Sequence, residues 1–287
     1  MTDPGGRLVD IGDTSLYIVE RGTGHPLICL HGGPGLDHTS FGDYLDPLGD
    51  AIQLILVDQR SQGRSADADP STWTLEHMAA DVSLLAAGLG LDEYSVLGHS
   101  FGAFVALQHA CDQPGAAAKT IVSSGLPSLN YLAKVDENLA NFEPVELREQ
   151  VTKSWADEQS ARTSEDVARL MGAQMPFHFK DPYDPRIAEV MAKSAHAVYA
   201  PEILKQMSLD NYGSIDLEDR LGDVTQPVLV LAGRHDRTCD IAGAEATTAG
   251  IPNAQLVIFE DSAHLTFIEE NVTYLNVVRS FLLSGRE

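Results

Sequence analysis

Seven short apolar runs recur along the chain, at residues 16–19, 27–30, 52–57, 95–97, 120–122, 228–231 and 255–259. Several are apolar throughout rather than alternating, as strands covered on both faces of a parallel sheet should be. Between them the period changes to three and four. Leu75, Met78, Ala79, Val82 and Leu85 make a one-sided stripe over 75–89, and 101–112, 241–249 and 265–283 also read as helices. Strand and helix alternate, which predicts βαβ units and a mostly parallel central sheet flanked by helices, with the opening segments as an antiparallel edge.

One region breaks the alternation. From about residue 126 to 216 no run reads as a strand. Helical patterns at 145–160, 164–175, 186–199 and 202–212 are punctuated by Pro144, Pro176, Pro182, Pro185 and Pro201. Helices inserted between two sheet strands predict a cap over 126–216 on an α/β core formed by 1–125 and 217–287.

Composition narrows the function. With 44% hydrophobic and 21% charged residues in 287, the chain can bury a large core. Its 42 Asp and Glu against 19 Lys and Arg give a net charge of −23. That field repels phosphate backbones and anionic lipid, so neither nucleic acid nor a membrane surface is expected as a partner. The opening MTDPGG has no basic or apolar leader pattern, and no apolar run has the roughly 18 residues of a spanning helix. Cys29, Cys111 and Cys239 are odd in number, far apart and without metal-ligand spacing, so they read as packing residues in a cytoplasmic protein.

Gly98-His99-Ser100-Phe101-Gly102 is a G-x-S-x-G. Short motifs of this kind arise by chance; the context strengthens this one, because a predicted strand enters it and a predicted helix leaves it. Such a turn needs small residues around a serine lifted into the open at the sheet's carboxyl edge, above a helix N-terminus. A serine hydroxyl needs a base and an orienting acid, which follow this elbow in the order acid, then histidine. Of ten histidines only His264 lies after the last predicted strand, which makes it the candidate base. Asp236, in the turn after 228–231, is the candidate acid; Asp240 competes but falls at the start of the next helix. The position after 120–122 holds Ser123 and Ser124, which cannot supply the acid. The oxyanion of an attacked carbonyl needs two N–H donors: Phe101 and, from the glycine-rich loop His31-Gly32-Gly33-Pro34-Gly35, Gly33.

HGGPG at 31–35, DQRSQGRS at 58–65, GHSFGA at 98–103, GRHD at 233–236 and the late His264 together resemble the α/β-hydrolase superfamily. HGGPG followed by DQR resembles its proline iminopeptidase branch. The likeness covers the core and stops at the cap. It implies a serine hydrolase releasing an N-terminal residue, usually proline, from short peptides or amides, with no cofactor. There are departures: Ser61 stands where the branch has glycine, His99 and Phe101 flank Ser100 where it reads GGSWG, and Ala263 precedes His264 where glycine is common.

The resemblance also implies a cap carboxylate that holds the substrate's ammonium. Glu137, Glu143, Glu146, Glu158, Glu202 and Asp210 are available, and Glu143, Glu202 and Tyr199 are taken as the substrate-binding candidates. Met171, Met175, Phe177, Phe179, Tyr183, Tyr199, Met207 and Tyr212 supply cap packing, two or three of them facing Ser100. His31 is expected to brace its own loop. His25, His38, His77, His109, His178 and His196 show no metal spacing, and no phosphate-binding loop is present. The competing functions are an esterase or lactonase with the same machinery and a ligand-binding protein that keeps the fold without turnover. Ser rather than Asp at the elbow disfavours dehalogenase and epoxide hydrolase chemistry.

Overall fold

The computed structural model describes residues 5–285; residues 1–4, part of the opening stretch read above for a leader, lie outside the described residues. Eight strands among the described residues form one sheet: β1 (Arg7–Asp10), β2 (Ser15–Arg21), β3 (His25–Leu30), β4 (Ile52–Asp58), β5 (Ser95–His99), β6 (Lys119–Ser123), β7 (Val228–Gly233) and β8 (Ala254–Phe259). Their spatial order is β1-β2-β4-β3-β5-β6-β7-β8. The edge formed by β1 and β2 is antiparallel, and every pair from β4–β3 onward is parallel. The opening segments are therefore only partly antiparallel, since β3 and β4 run side by side in one direction. Every residue of β5 and β7 is buried, which is why these runs carry no alternation. β1 buries only Val9, and one apolar position leaves no pattern to read.

Helices cover both faces. On one side Leu75, Met78, Val82 and Leu85 of α1 (Leu75–Gly88) pack with Phe104 and Val105 of α2 (Phe101–Asp112) against β3 and β5. Cap helices follow β6: α3 (Lys134–Ala140), α4 (Val145–Asp157), α5 (Ser164–His178), α6 (Arg186–Lys193) and α7 (Pro201–Leu209). After β7 come α8 (Ile241–Gly250), α9 (Thr266–Glu269) and α10 (Asn271–Leu283). Tyr274, Val278 and Leu282 of α10 cover the sheet's other face. The cap helices enclose small cores of their own, Leu139, Phe142, Val151 and Phe177 in one and Val167, Leu170 and Leu204 in another. No helix among the described residues is long and apolar enough to cross a membrane.

Two helices differ from their pattern for identifiable reasons. The helical run at 265–283 breaks at Glu270 (φ −120°, ψ 48°), whose carboxylate turns back to accept Asp261 N and Ser262 Oγ. The run at 186–199 stops at Lys193, because the chain beyond it bonds to the core: Val198 N donates to Asp37 Oδ2 and Ala200 N to Gly35 O.

Candidate active site

Ser100 sits between β5 and α2 at φ 55° and ψ −119°, a conformation that side chains other than glycine rarely adopt. The glycines around it answer to contact distances. A Cβ on Gly98 would lie 2.0 Å from Gly102 O, and one on Gly102 would lie 2.2 Å from Leu30 O. Ser100 N donates to Ser123 O at 2.9 Å, which ties the turn to β6.

Asp236 follows β7, and His264 lies in the loop before α9; the fold brings them together. His264 Nδ1 is 2.8 Å from Asp236 Oδ2. The other carboxylate oxygen accepts Thr238 N at 2.8 Å, Thr238 Oγ1 at 2.8 Å and Cys239 N at 3.0 Å. Burial alone would raise the Asp236 pKa, but the charge of His264 and these hydrogen bonds outweigh it and hold the carboxyl below its ordinary value. With Nδ1 committed to the acid, Nε2 is the ring nitrogen left for other work. Asp240 instead caps α8 through Gly243 N and pairs with Lys134.

Two further imidazoles flank His264, with ring centroids 5.1 Å away for His99 and 5.0 Å for His178. Burial, with the neighbouring His264, holds His99 well below its ordinary pKa and His178 at about 3. The two rings beside His264 are thus ones whose neutral forms burial favours. His264 N also donates to His178 O at 3.0 Å, and Ser124 Oγ donates to His264 O at 2.8 Å.

The loop at 31–35 packs beside the serine: a Cβ on Gly32 would be 3.3 Å from Ser100 Cβ, and Gly33 has φ +121°. His31 Nδ1 lies 2.7 Å from Gly32 O, a brace within its own loop, and Gln62 Oε1 accepts Gly35 N at 2.7 Å. Ser61, where the branch has glycine, adopts φ 56° and accepts hydrogen bonds from Ala68 N and Trp73 Nε1.

A cavity of about 630 Å³ lies between core and cap, and Ser100, His264, Gly33 and Phe101 all line it. Of the aromatic and Met set, Met171, Met175, Tyr199 and Tyr212 line it, whereas Phe177, Phe179 and Met207 are buried in packing and Tyr183 is exposed. Two substrate-binding candidates lie elsewhere. Glu143 is exposed and paired with Arg148 at 2.6 Å, and Glu202 is exposed in the first turn of α7; neither lines the cavity. Glu202 lies where a helix dipole favours an acid without any ligand.

Two buried acids line the cavity, Asp37 and, just after α4, Glu158. Glu158 is 3% exposed and accepts hydrogen bonds from Gln174 at 2.7 Å, Ser208 at 2.9 Å and Tyr212 at 2.7 Å. Burial raises its pKa against the pull of those three donors. The spacing Asp236-x-Thr238, usual where a side chain caps the backbone two residues on, could have flagged Thr238. Nothing local marks Glu158 among its acidic neighbours.

His38 does gather carboxylates once the chain folds: ligand atoms of Asp37, His38 and Asp58 lie within 4.8 Å of one another. Their lone pairs are already engaged, Asp58 with His38 and Arg64 N, Asp37 with Thr39, Val198 N and Arg64. A guanidinium 2.7 Å from Asp37 supplies the positive charge there.

A strand–serine–helix elbow below such a cavity belongs to a recognised class: the model of the alpha/beta hydrolase fold family matches residues 25–271, and the chain belongs to that family. Within it the chain belongs to the proline iminopeptidase branch and is a hydrolase. A proline iminopeptidase of Clostridium botulinum is 31% identical over 281 residues, 94% of each chain. One from Saccharolobus solfataricus is 29% identical over 277 residues, 93% of this chain and 87% of the relative. Among solved structures, the proline iminopeptidase of Mycobacterium smegmatis superposes with a TM-score of 0.75 at 25% identity, covering 97% of both chains. An esterase from Exiguobacterium antarcticum gives a TM-score of 0.76 at 23% identity, over 97% of this chain and 100% of that one, a likeness of fold alone.

Proposed function

We propose that the chain is a serine aminopeptidase of proline iminopeptidase type. In this reading Ser100 Oγ attacks the carbonyl carbon of the N-terminal residue while His264 Nε2 takes its proton. Asp236 supports the imidazolium, and the N–H groups of Gly33 and Phe101 hold the oxyanion. The imidazolium returns its proton to the leaving amine, and water, deprotonated by His264, releases the acyl group. The flanking imidazoles His99 and His178, held neutral, leave His264 as the ring of the three that takes the proton.

The observation that carries the amine preference is Glu158. Its hydrogen-bond partners among the described residues are all neutral, although a buried carboxylate favours a cation beside it. The other acids lining the cavity differ: Asp37 is paired with Arg64, and Asp136 is exposed. A substrate ammonium would supply the missing charge.

A panel of a prolyl anilide, its N-acetyl derivative and a neutral ester tests this. The free amine should be preferred, Ser100→Ala should abolish turnover with the fold intact, and Glu158→Gln should raise KM for the anilide about tenfold or more while sparing the ester. Turnover of the ester alone would favour the esterase reading, to which the apolar walls Leu139, Trp155, Met171 and Met175 lend support.

A further inference from the structure

Arg64 and Asp37 have no part in the proposed chemistry, yet their contacts run from the glycine loop to the cap. Arg64 Nη1 lies 2.7 Å from Asp37 Oδ2, and its Nη2 donates to His196 O at 2.8 Å. The same Asp37 oxygen accepts Val198 N at 2.8 Å, and Ala200 N donates to Gly35 O at 2.9 Å. Residues 196, 198 and 200 therefore each bond the core through their backbone, as a strap does. Tyr199, between two of those bonds, lines the cavity.

The core end of the strap is equally fixed. Asp37 Oδ1 accepts Thr39 N at 3.0 Å, Arg64 N donates to Asp58 Oδ2 at 2.8 Å, and Gln62 holds Gly35 N. A Cβ on Gly35 would meet Ala200 O at 2.9 Å, so loop and strap are already in contact. The Asp37 side chain is 1% exposed and that of Arg64 15%. Burying such a pair costs desolvation that an apolar pair would avoid, so its use here lies in geometry.

We propose that Arg64 and Asp37 are positioning residues that lock the cap strap at 196–200 to the loop carrying Gly33, so that the seat of the cap and the aim of the oxyanion donor are set together. The guanidinium is suited to this, since its fork reaches a carboxylate and a carbonyl on two different segments at once. The proposal rests on the reading of Gly33 as an oxyanion donor.

The assay uses the substrate of the panel above that wild type turns over with dependence on Ser100. Arg64→Ala should lower kcat by about 10- to 100-fold, less than loss of a whole oxyanion donor in the worst case, with KM changed far less. Added guanidinium ion should restore part of that kcat, and Arg64→Lys should fall between, because an ammonium reaches one of the two oxygens but not both. Wild-type kcat in folded Arg64→Ala overturns the proposal. So does a loss that guanidinium leaves untouched and that tracks a drop in melting temperature. If Arg64→Ala does not fold, Val198→Pro, which deletes the N–H to Asp37 while leaving Arg64 and Asp37 in place, is read in the same way, and wild-type kcat there overturns the proposal too. If Ser100→Ala keeps turning substrate over, the serine-hydrolase reading itself falls, whereas a dead Ser100→Ala beside a fully active Arg64→Ala removes the positioning role alone.

Discussion

Thr238 places one hydroxyl between the acid and the base, donating to Asp236 Oδ1 and lying 2.9 Å from His264 Nδ1. Thr238→Val keeps the shape and removes that donor. We expect kcat to fall about three- to tenfold, since Asp236 Oδ1 keeps its two backbone donors, with KM unchanged in steady-state kinetics. Residues of this kind define what the sequence leaves unsaid. Chain order and predicted strand ends were enough to single out Ser100, His264 and Asp236 as candidates, and the fold does bring the last two into contact. Glu158 is not legible in that way, since it is one acid in a cap full of acids and only the packing of three cap segments around it makes it different. Glu143 and Glu202 look just as suitable on paper and end on the outside.

At the scale of elements, the elbow depends on backbone passing close to backbone. Gly102 of α2 touches the carbonyl of Leu30 at the end of β3, so Gly102→Ala must push helix from strand. Loss of soluble expression, or a melting temperature far below wild type, is expected, whereas Gly222→Ala, where nothing lies within 4 Å of the added carbon, should be tolerated. The seam between α1 and α2 carries a titratable group. His109 Nε2 lies 3.0 Å from Ser83 Oγ, and burial lowers its pKa to about 4. Its folded value is below the unfolded value of about 6.5. Its contribution is therefore complete above about pH 6.5 and is lost as pH falls toward 4, by at most about 1.4 kcal/mol per pH unit. Melting temperature should decline over that window, and His109→Gln should flatten the decline. Strands were legible because burial on both faces leaves continuous apolar runs. The break at Glu270 was not, because its cause is a carboxylate reaching back to a loop nine residues earlier.

The whole molecule carries a net charge of −23, and a cationic substrate approaches it down a favourable gradient. Raising ionic strength from about 0.01 to 0.15 M shortens the screening length from about 30 to 8 Å. The ratio kcat/KM for a free-amine substrate should fall across that range, while that of a neutral ester should hold steady; equal responses would remove any role for the field in amine preference. The core of the molecule follows its sequence pattern closely because each layer is laid down by local periodicity. The cap does not, because its helices take their ends from contacts distant in sequence, such as the bonds to the core beyond Lys193 of α6.

Under the proposed reading, a roof of helices over Ser100 also limits what can be cut. The chamber's roughly 630 Å³ admits a few residues of loose chain but no folded surface. On that reading, such an enzyme can be stored fully active beside intact neighbours without a pro-segment or a dedicated inhibitor.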